Sequence, residues 1–270
     1  MIDLSLLIDQ SYGGFFVASM AVIAVAISKA GFGGAMASLS APIMLLAFTP
    51  SQSLGVLLPL FLVADIWVVW FWRHLGVRRI IIVMTVTALF GQLIGWFMLH
   101  YGALDDRWLM FFIGVMALLT SGKYLLTQLG SLAVASKQKA LVRFYRRHIL
   151  SRALLWCTLS GFTSFVSLTG GITSQIYLLP LQLPRQLFVA TMAWFFLFIN
   201  LAKVPFFTEL AFMSSATWTY SVLLLPFVPI GIVIGRWLNQ VMSDRFFYIA
   251  VHILLGILGM QLIMRFIQGV

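Results

Sequence analysis

The stretch "SKAGFGGAMASLSAP", residues 28–42, interrupts an otherwise apolar part of the chain. A lysine, three glycines, three serines and a proline stand there between runs of isoleucine, valine, leucine and phenylalanine. A charged residue inside a bilayer is costly, so it usually faces a partner or a cavity. The stretch therefore predicts a break in a hydrophobic helix, made either for a ligand or for packing.

The amino-acid composition excludes a soluble globular domain. The 270 residues are 62% hydrophobic and 9% charged, whereas soluble domains carry about 25% charged residues. Apolar runs near the ~20 residues needed to cross a bilayer recur along the chain, which predicts a multi-pass membrane protein. We expect no removable signal peptide, because no basic segment followed by a small-residue cleavage site opens the sequence.

The formal net charge of +10 comes mostly from residues in the connections between apolar runs. Lysine and arginine mark the cytoplasmic side of membrane proteins, so we interpret them as topology signals and expect no nucleic-acid partner. The single cysteine, Cys157, excludes an internal disulfide and a cysteine-based metal site. The sequence carries no HExxH, GxSxG or phosphate-loop motif. We therefore expect no enzyme, no metal and no cofactor.

The apolar runs form two sets of five that carry the same landmarks in the same order. Gly33-Gly34 and Gly170-Gly171 open the second segment of each set, and the fourth segments share the glycine pairs of "GQLIG" (91–95) and "GIVIG" (231–235). Such a match predicts an internal duplication. The predicted segments are 12–30, 31–48, 52–72, 78–100, 107–128, 150–168, 170–183, 186–207, 217–238 and 245–267.

The charges of the connections predict how the two copies are oriented. Loop 73–79 and connection 123–152 are basic and therefore cytoplasmic, whereas loop 208–216, the counterpart of 73–79, carries only Glu209. Equivalent loops on opposite sides require inverted repeats with an odd number of crossings each. Five crossings per copy fit, as do three crossings plus a re-entrant pair, and we favour five.

The predicted fold class is an all-α polytopic membrane protein of two inverted repeats with helices broken at the glycine pairs. Residues 1–130 form the first transmembrane repeat, 131–149 a basic cytoplasmic linker and 150–270 the second repeat. Inverted repeats with broken helices are typical of secondary transporters, which bind substrate near the midplane where the repeats meet.

Each glycine break is a candidate substrate site, because a helix restarting there points free N–H groups at a ligand. Hydroxyl and amide side chains nearby add further donors for an anion. The alternatives are that the glycines only permit tight helix packing and that Lys29 reaches the membrane interface. The candidate residues are Lys29, Gly33, Gly34, Ser38 and Ser40 in the first copy, and Thr169, Gly170, Gly171, Thr173, Ser174 and Gln175 in the second.

The third segments carry the most costly polar residues. Asp65 lies well inside the first, and Asn200 is its approximate counterpart, with Lys203 one helical turn later. One interpretation makes Lys203 an anion partner and Asp65 a proton-coupling carboxylate; the other is a permanent Asp65–Lys203 pair, and both can hold. Arg185, before the eighth segment, either attracts anions at a vestibule or anchors the helix.

With both breaks in view, the chain resembles the TauE/SafE family of sulfite and organosulfur-anion exporters. The resemblance rests on "AGFGGAMASLSAPIMLL" (30–46), on "SLTGGITSQIYLLPLQLP" (167–184) and on the paired glycines of the fourth segments. It implies transport of sulfite, sulfoacetate or related sulfonates across the cytoplasmic membrane.

We therefore predict a secondary transporter for small sulfur-containing anions, an exporter coupled to the proton gradient. Its partners are the anion, the lipid bilayer and protons as the coupling ion. The alternatives are an anion channel, a transporter of small carboxylates and, with less support, a membrane-embedded enzyme or scaffold.

Overall fold

A computed structural model describes residues 12–32, 34, 37, 40–102, 106–129, 149–178, 181, 183–241 and 244–268. Within these residues all regular secondary structure is helical, which confirms the predicted all-α class, while the inverted repeats stay a prediction. The linker 131–149 lies, except for its last residue, outside the described residues. The helices are α1 (Tyr12–Phe32), α2 (Ser40–Met44), α3 (Pro50–Phe71), α4 (Arg78–His100), α5 (Asp106–Leu129), α6 (Ile149–Ser167), α7 (Gly170–Leu178), α8 (Arg185–Glu209), α9 (Ser215–Leu224), α10 (Phe227–Val241) and α11 (Asp244–Gln268).

Local sequence sets several of these helix ends. Thr49 and Gln52 form a capping box at the start of α3, with Pro50 at the first helical position. Ser214 and Thr217 cap α9 in the same way. Both devices satisfy backbone N–H groups that have no acceptor inside the helix.

Five of the helices are long and apolar enough to cross a membrane, and a sixth candidate is α9 together with α10. That pair is bent by 47°, because Pro226 lies between the two helices and cannot donate to the backbone ladder. The segment predicted at 217–238 is therefore a broken helix rather than a straight one. The chain is a multi-pass membrane protein.

The two segments that follow the glycine pairs are much shorter than predicted. The five-residue α2 and the nine-residue α7 measure about 7.5 and 13.5 Å at 1.5 Å per residue, against a bilayer core of ~30 Å. Neither helix by itself spans the bilayer core, and the five crossings favoured for each copy stay a prediction. In the first half α1 continues through Gly31 to Phe32, and the next helix described begins at Ser40.

The helices pair across the two halves in a reciprocal way. The fourth helix of the first half, α4, packs on α6, the first helix of the second half; α10 packs on α1 in return. The third helices α3 and α8 pack on each other, as do the last helices of the two halves, α5 and α11. Each half therefore completes the core of the other.

The paired glycines of the fourth helices make this close packing possible. A Cβ atom on Gly91 would overlap the backbone of α6. On Gly231 or Gly235 it would lie 2.5–2.7 Å from a carbonyl oxygen of α1. Small residues at these positions let the membrane helices approach closely.

Contacts between helix ends support the inverted arrangement, which we retain as a proposal. The Arg236 guanidinium, towards the end of α10, lies 4.9 Å from the ring of Phe71 at the end of α3. On the opposite face, His100 at the end of α4 meets Glu209 at the end of α8, with 3.2 Å between Nδ1 and Oε1. Each contact joins the end of the third-segment helix of one half to the end of the fourth-segment helix of the other.

Candidate functional site

Buried polar side chains from α1, α3, α8 and α6 form one hydrogen-bonded chain where the halves meet. The Lys29 ammonium donates to Asp65 Oδ1 (2.5 Å), and Asn200 Nδ2 donates to Asp65 Oδ2 (2.7 Å). The Lys203 ammonium donates to Asn200 Oδ1 (2.9 Å) and to Ser164 Oγ (2.7 Å). All five side chains are buried, none more than 5% exposed. Lys29 is therefore not an interfacial lysine.

Hydrogen-bond chemistry fixes which atom of each side chain in this network donates and which accepts. A lysine ammonium only donates and an ionised carboxylate only accepts. The amide oxygen of Asn200 must therefore face Lys203, which leaves its NH2 group to face Asp65. Asp65 accepts from Lys29 at one oxygen and from Asn200 at the other, as an ionised carboxylate does.

The charges of the network do not balance. It contains two lysines and one aspartate, and Asp65 forms its ion pair with Lys29. Among the described residues, Lys203 has no carboxylate within ion-pair distance; its partners are the neutral oxygens of Ser164 and Asn200. The permanent Asp65–Lys203 pair considered from the sequence is wrong, because the Asn200 amide lies between the two.

Equivalent positions of the two copies supply this network. Lys29 and Ser164 lie 135 positions apart in the sequence, as do Asp65 and Asn200. The two breaks share the same offset and the same backbone bond. Gly34 N–H donates to the carbonyl of Ser28, and Thr169 N–H donates to that of Thr163. The first half contributes the ion pair, the residues at the same offset in the second half (Ser164 and Asn200) are neutral, and Lys203 adds a second cation.

A small cavity lies against the network and between the two breaks. The volume open to the centre of a water-sized sphere is only about 10 Å³, roughly the room for one water molecule. Two phenylalanine rings, again 135 positions apart, cover the Lys29 ammonium at 4.6 Å (Phe61) and 5.3 Å (Phe196) from the ring centroids. The lining residues are Lys29, Gly34, Ala37, Phe61, Ser164, Leu168, Gly171, Phe196 and Asn200.

Glycine is required at the first break for a local reason. Gly34 has φ +82°, a left-handed conformation that L side chains rarely adopt. Its Cα hydrogen faces the Phe196 ring, where a Cβ atom would lie 3.3 Å from the nearest ring carbon. At the second break Gly170 packs on α6, and Gly171, at the amino end of α7, lines the cavity.

Most of the predicted hydroxyl donors do not line this cavity, because they bond to nearby backbone or to each other. Ser40 donates to the Ala37 carbonyl at 2.6 Å, and Ser174 donates to the carbonyls of Gly170 and Gly171. Thr173 donates to Gly170, and Thr169 shares a hydrogen bond with Ser167. Short polar side chains in helices commonly bond to backbone in this way.

Other predicted residues lie outside this network or outside the described part of the chain. Gly33 and Ser38 are not among the described residues, and the side chain of Arg185, which begins α8, is not described. Gln175 is half-buried in α7 and does not line the cavity. The predicted residues that the structure brings together are Lys29, Gly34, Asp65, Gly171, Asn200 and Lys203.

Sequence reasoning missed Ser164 and the two phenylalanines, Phe61 and Phe196. The signal that identifies them is the repeat offset itself. A shift of 135 positions matches Ser164 to Lys29 and Phe196 to Phe61. The comparison of landmarks, glycine pairs among them, passed over these pairs.

Long apolar helices that pack reciprocally around a buried, charged and occluded site at the junction of two halves define a membrane transporter. The sequence model of the sulfite exporter TauE/SafE family matches residues 18–262 of the chain. The chain belongs to this family, which confirms the resemblance seen in the sequence. Comparison with curated proteins and with solved structures gave no match.

Proposed function

We propose that this protein exports small sulfur-containing oxyanions, such as sulfite or sulfonates, through the cavity beside Lys29 and Lys203. The observation that carries the proposal is the Lys203 ammonium, which is fully buried yet bonded only to neutral oxygens. A buried charge without an opposite partner is costly. A bound anion beside it would supply the missing charge.

The groups around the cavity suit an oxyanion with several equivalent oxygens. Lys29 and the Ser164 hydroxyl line the cavity, and Lys203 adds positive charge from behind Ser164 and Asn200, to which it donates. The amino end of α7 at Gly171 adds N–H groups that have no acceptor within the helix. Neutral donors of this kind hold an anion without preventing its release.

The present size of the cavity excludes the substrate, so binding requires movement. Room for about one water is too little for a sulfonate. The rings of Phe61 and Phe196 cover Lys29, and Phe196 also lies against Gly34 at the first break. We propose that displacement of these rings opens the cavity, each ring acting for one half of the molecule.

We propose Asp65 as the proton-coupling group. Its ion pair with Lys29 and its bond from Asn200 both require the ionised carboxylate. Protonation would remove the negative charge of the network and leave both lysine charges available to an anion. Proton binding and anion binding would then favour one another, by the same factor in both directions.

If proton binding and anion binding favour one another, the proton and the anion cross the membrane together. A singly charged anion with one proton carries no net charge, so the membrane potential does not drive the step. Net export would then occur when the outward anion gradient exceeds the inward proton gradient. We place the protein in the cytoplasmic membrane, where both gradients exist.

The test is flux of labelled sulfite from proteoliposomes, measured with and without a pH gradient. Lys203→Gln keeps hydrogen-bond donors at the site but removes the charge, and we expect the KM for sulfite to rise at least ten-fold. The control is Ser53→Ala, which removes a buried hydroxyl that has no hydrogen-bond partner among the described residues; its flux should match the wild type.

Each alternative function gives a different result in the same assay. Saturable flux of acetate or another small carboxylate without sulfite flux would assign the protein to carboxylates. Flux that neither saturates nor responds to pH would show a channel. Absence of flux for every oxyanion tested would overturn the proposal.

A further inference from the structure

A second cavity lies at the face of the molecule that carries the basic loop 73–79. The volume open to the centre of a water-sized sphere is about 130 Å³ in this cavity, many times the volume of the cavity beside Lys29. Phe71 and Trp72 at the end of α3 form one side, and Arg236 of α10 lies opposite with its guanidinium 4.9 Å from the Phe71 ring. Arg236 is exposed, so the cavity is in contact with the surroundings.

This outer cavity leads towards the buried network. Val68, buried in α3, lines both the outer cavity and a smaller one that also contains Lys29 and Asp65. That smaller cavity shares Lys29, Gly34 and Phe196 with the cavity between the breaks. Three adjoining cavities therefore run from Arg236 to the site, and Val68 separates the first from the second.

The outer cavity also has the chemistry to hold a small organic anion. A guanidinium presents several N–H donors to an oxyanion, and the aromatic and aliphatic side chains around it suit the carbon part of a sulfonate. The position equivalent to Val68 in the second half is Lys203, 135 positions later. The second half has the charged Lys203 at this position, whereas the first half has Val68, a smaller apolar side chain that an anion would pass.

From this geometry we propose that the Arg236 cavity is an outer anion-binding site, from which the anion moves past Val68 to the buried lysines. The proposal rests on the proposed function, since it names the route to the same site. It assigns the access side to the face with loop 73–79, which we predict to be cytoplasmic.

Cysteine labelling tests the route without any assumption about the natural substrate. Cys157, fully buried in the native chain, is replaced by alanine, and Val68→Cys is introduced. The reagent is 2-sulfonatoethyl methanethiosulfonate, itself a small sulfonate. We expect labelling from the face with loop 73–79 and protection by sulfoacetate. Val56→Cys, on the same helix and fully buried away from the three cavities, is the control and should stay unlabelled.

The charge of Arg236 is tested by comparing this reagent with its trimethylammonium analogue. Arg236→Gln should lower the ratio of anionic to cationic labelling at position 68 about five-fold, the size of an exposed charge interaction. Arg79→Gln, an exposed arginine of the same face outside the cavity, should leave the ratio unchanged.

Three outcomes would overturn the proposal: no labelling at position 68, equal labelling from both faces, or equal effects of the two arginine substitutions. A transport measurement gives an independent check if Val68→Cys does not fold. Arg236→Gln should raise the KM for sulfite about five-fold with kcat unchanged. If wild-type protein transports no anion while labelling behaves as expected, the proposed function fails and the route stands.

Discussion

Replacing Asp65 by asparagine removes one charge from the buried network while keeping the shape of the side chain. Lys29 then lacks its ion-pair partner. The new amide offers one acceptor where the carboxylate offered two, although Lys29 and Asn200 both donate to this residue. Rotating the Asn200 amide does not help, because its NH2 group would then face Lys203, which also only donates.

The expected cost follows from these contacts. A buried ion pair that loses one partner costs about 3–5 kcal/mol, which includes the about 1–3 kcal/mol of a buried donor left without an acceptor. At about 2–4 °C per kcal/mol for a chain of this size, we expect Tm to fall by about 10 °C. Lys29→Met should cost a similar amount, because it leaves the carboxylate buried without its cation.

The assay is a double-mutant cycle on detergent-purified protein, read by thermal unfolding. The double variant Asp65→Asn with Lys29→Met should lose about 2–3 kcal/mol less than the sum of the single variants. Sulfite should stabilise Asp65→Asn more than the wild type, because an anion then replaces the missing carboxylate beside Lys29. A loss below about 1 kcal/mol for Asp65→Asn, or strict additivity in the cycle, would refute the reasoning.

Two further predictions use matched pairs of variants. Ser164→Ala removes an acceptor of the Lys203 ammonium and should cost about 1–3 kcal/mol of unfolding free energy, whereas Ser53→Ala should change it by less than about 0.5 kcal/mol; chemical or thermal unfolding compares them. Gly91→Ala should reduce yield and lower Tm, because its Cβ atom overlaps the backbone of α6. Gly122→Ala should raise Tm slightly, since among the described residues no heavy atom beyond the local helix backbone lies within 4 Å of the added Cβ and alanine favours the helix by about 1 kcal/mol. A common response of both glycine variants would contradict the packing argument.

Much of the fold could be predicted because the bilayer imposes strong rules on sequence. Apolar length locates the helices, and ten predicted segments correspond to the long and short helices of the structure in order. The errors fall where the chain leaves regular helix. Pro226 divides α9 from α10, and the glycine breaks shorten α2 and α7, since the pattern of apolar residues does not show where a broken helix resumes.

The site was predicted in part. Asp65, Asn200 and Lys203 were identified because polar residues deep in apolar segments are rare and costly. Their pairing was not, since the sequence does not show which helices touch. Among the hydroxyls predicted around the breaks, Ser40, Thr173 and Ser174 donate to neighbouring backbone, and their role with a ligand stays a prediction.

The sequence by itself determined that this chain is a helical membrane protein with a duplicated order of landmarks and unusual polar residues at its breaks. Those conclusions need only composition, periodicity and spacing. Tertiary structure alone decided that Lys29, rather than Lys203, forms the ion pair with Asp65. The physical reason is that α1, α3, α6 and α8 converge there from distant parts of the chain. Only that convergence leaves Lys203 buried beside neutral oxygens, where we propose that an anion binds.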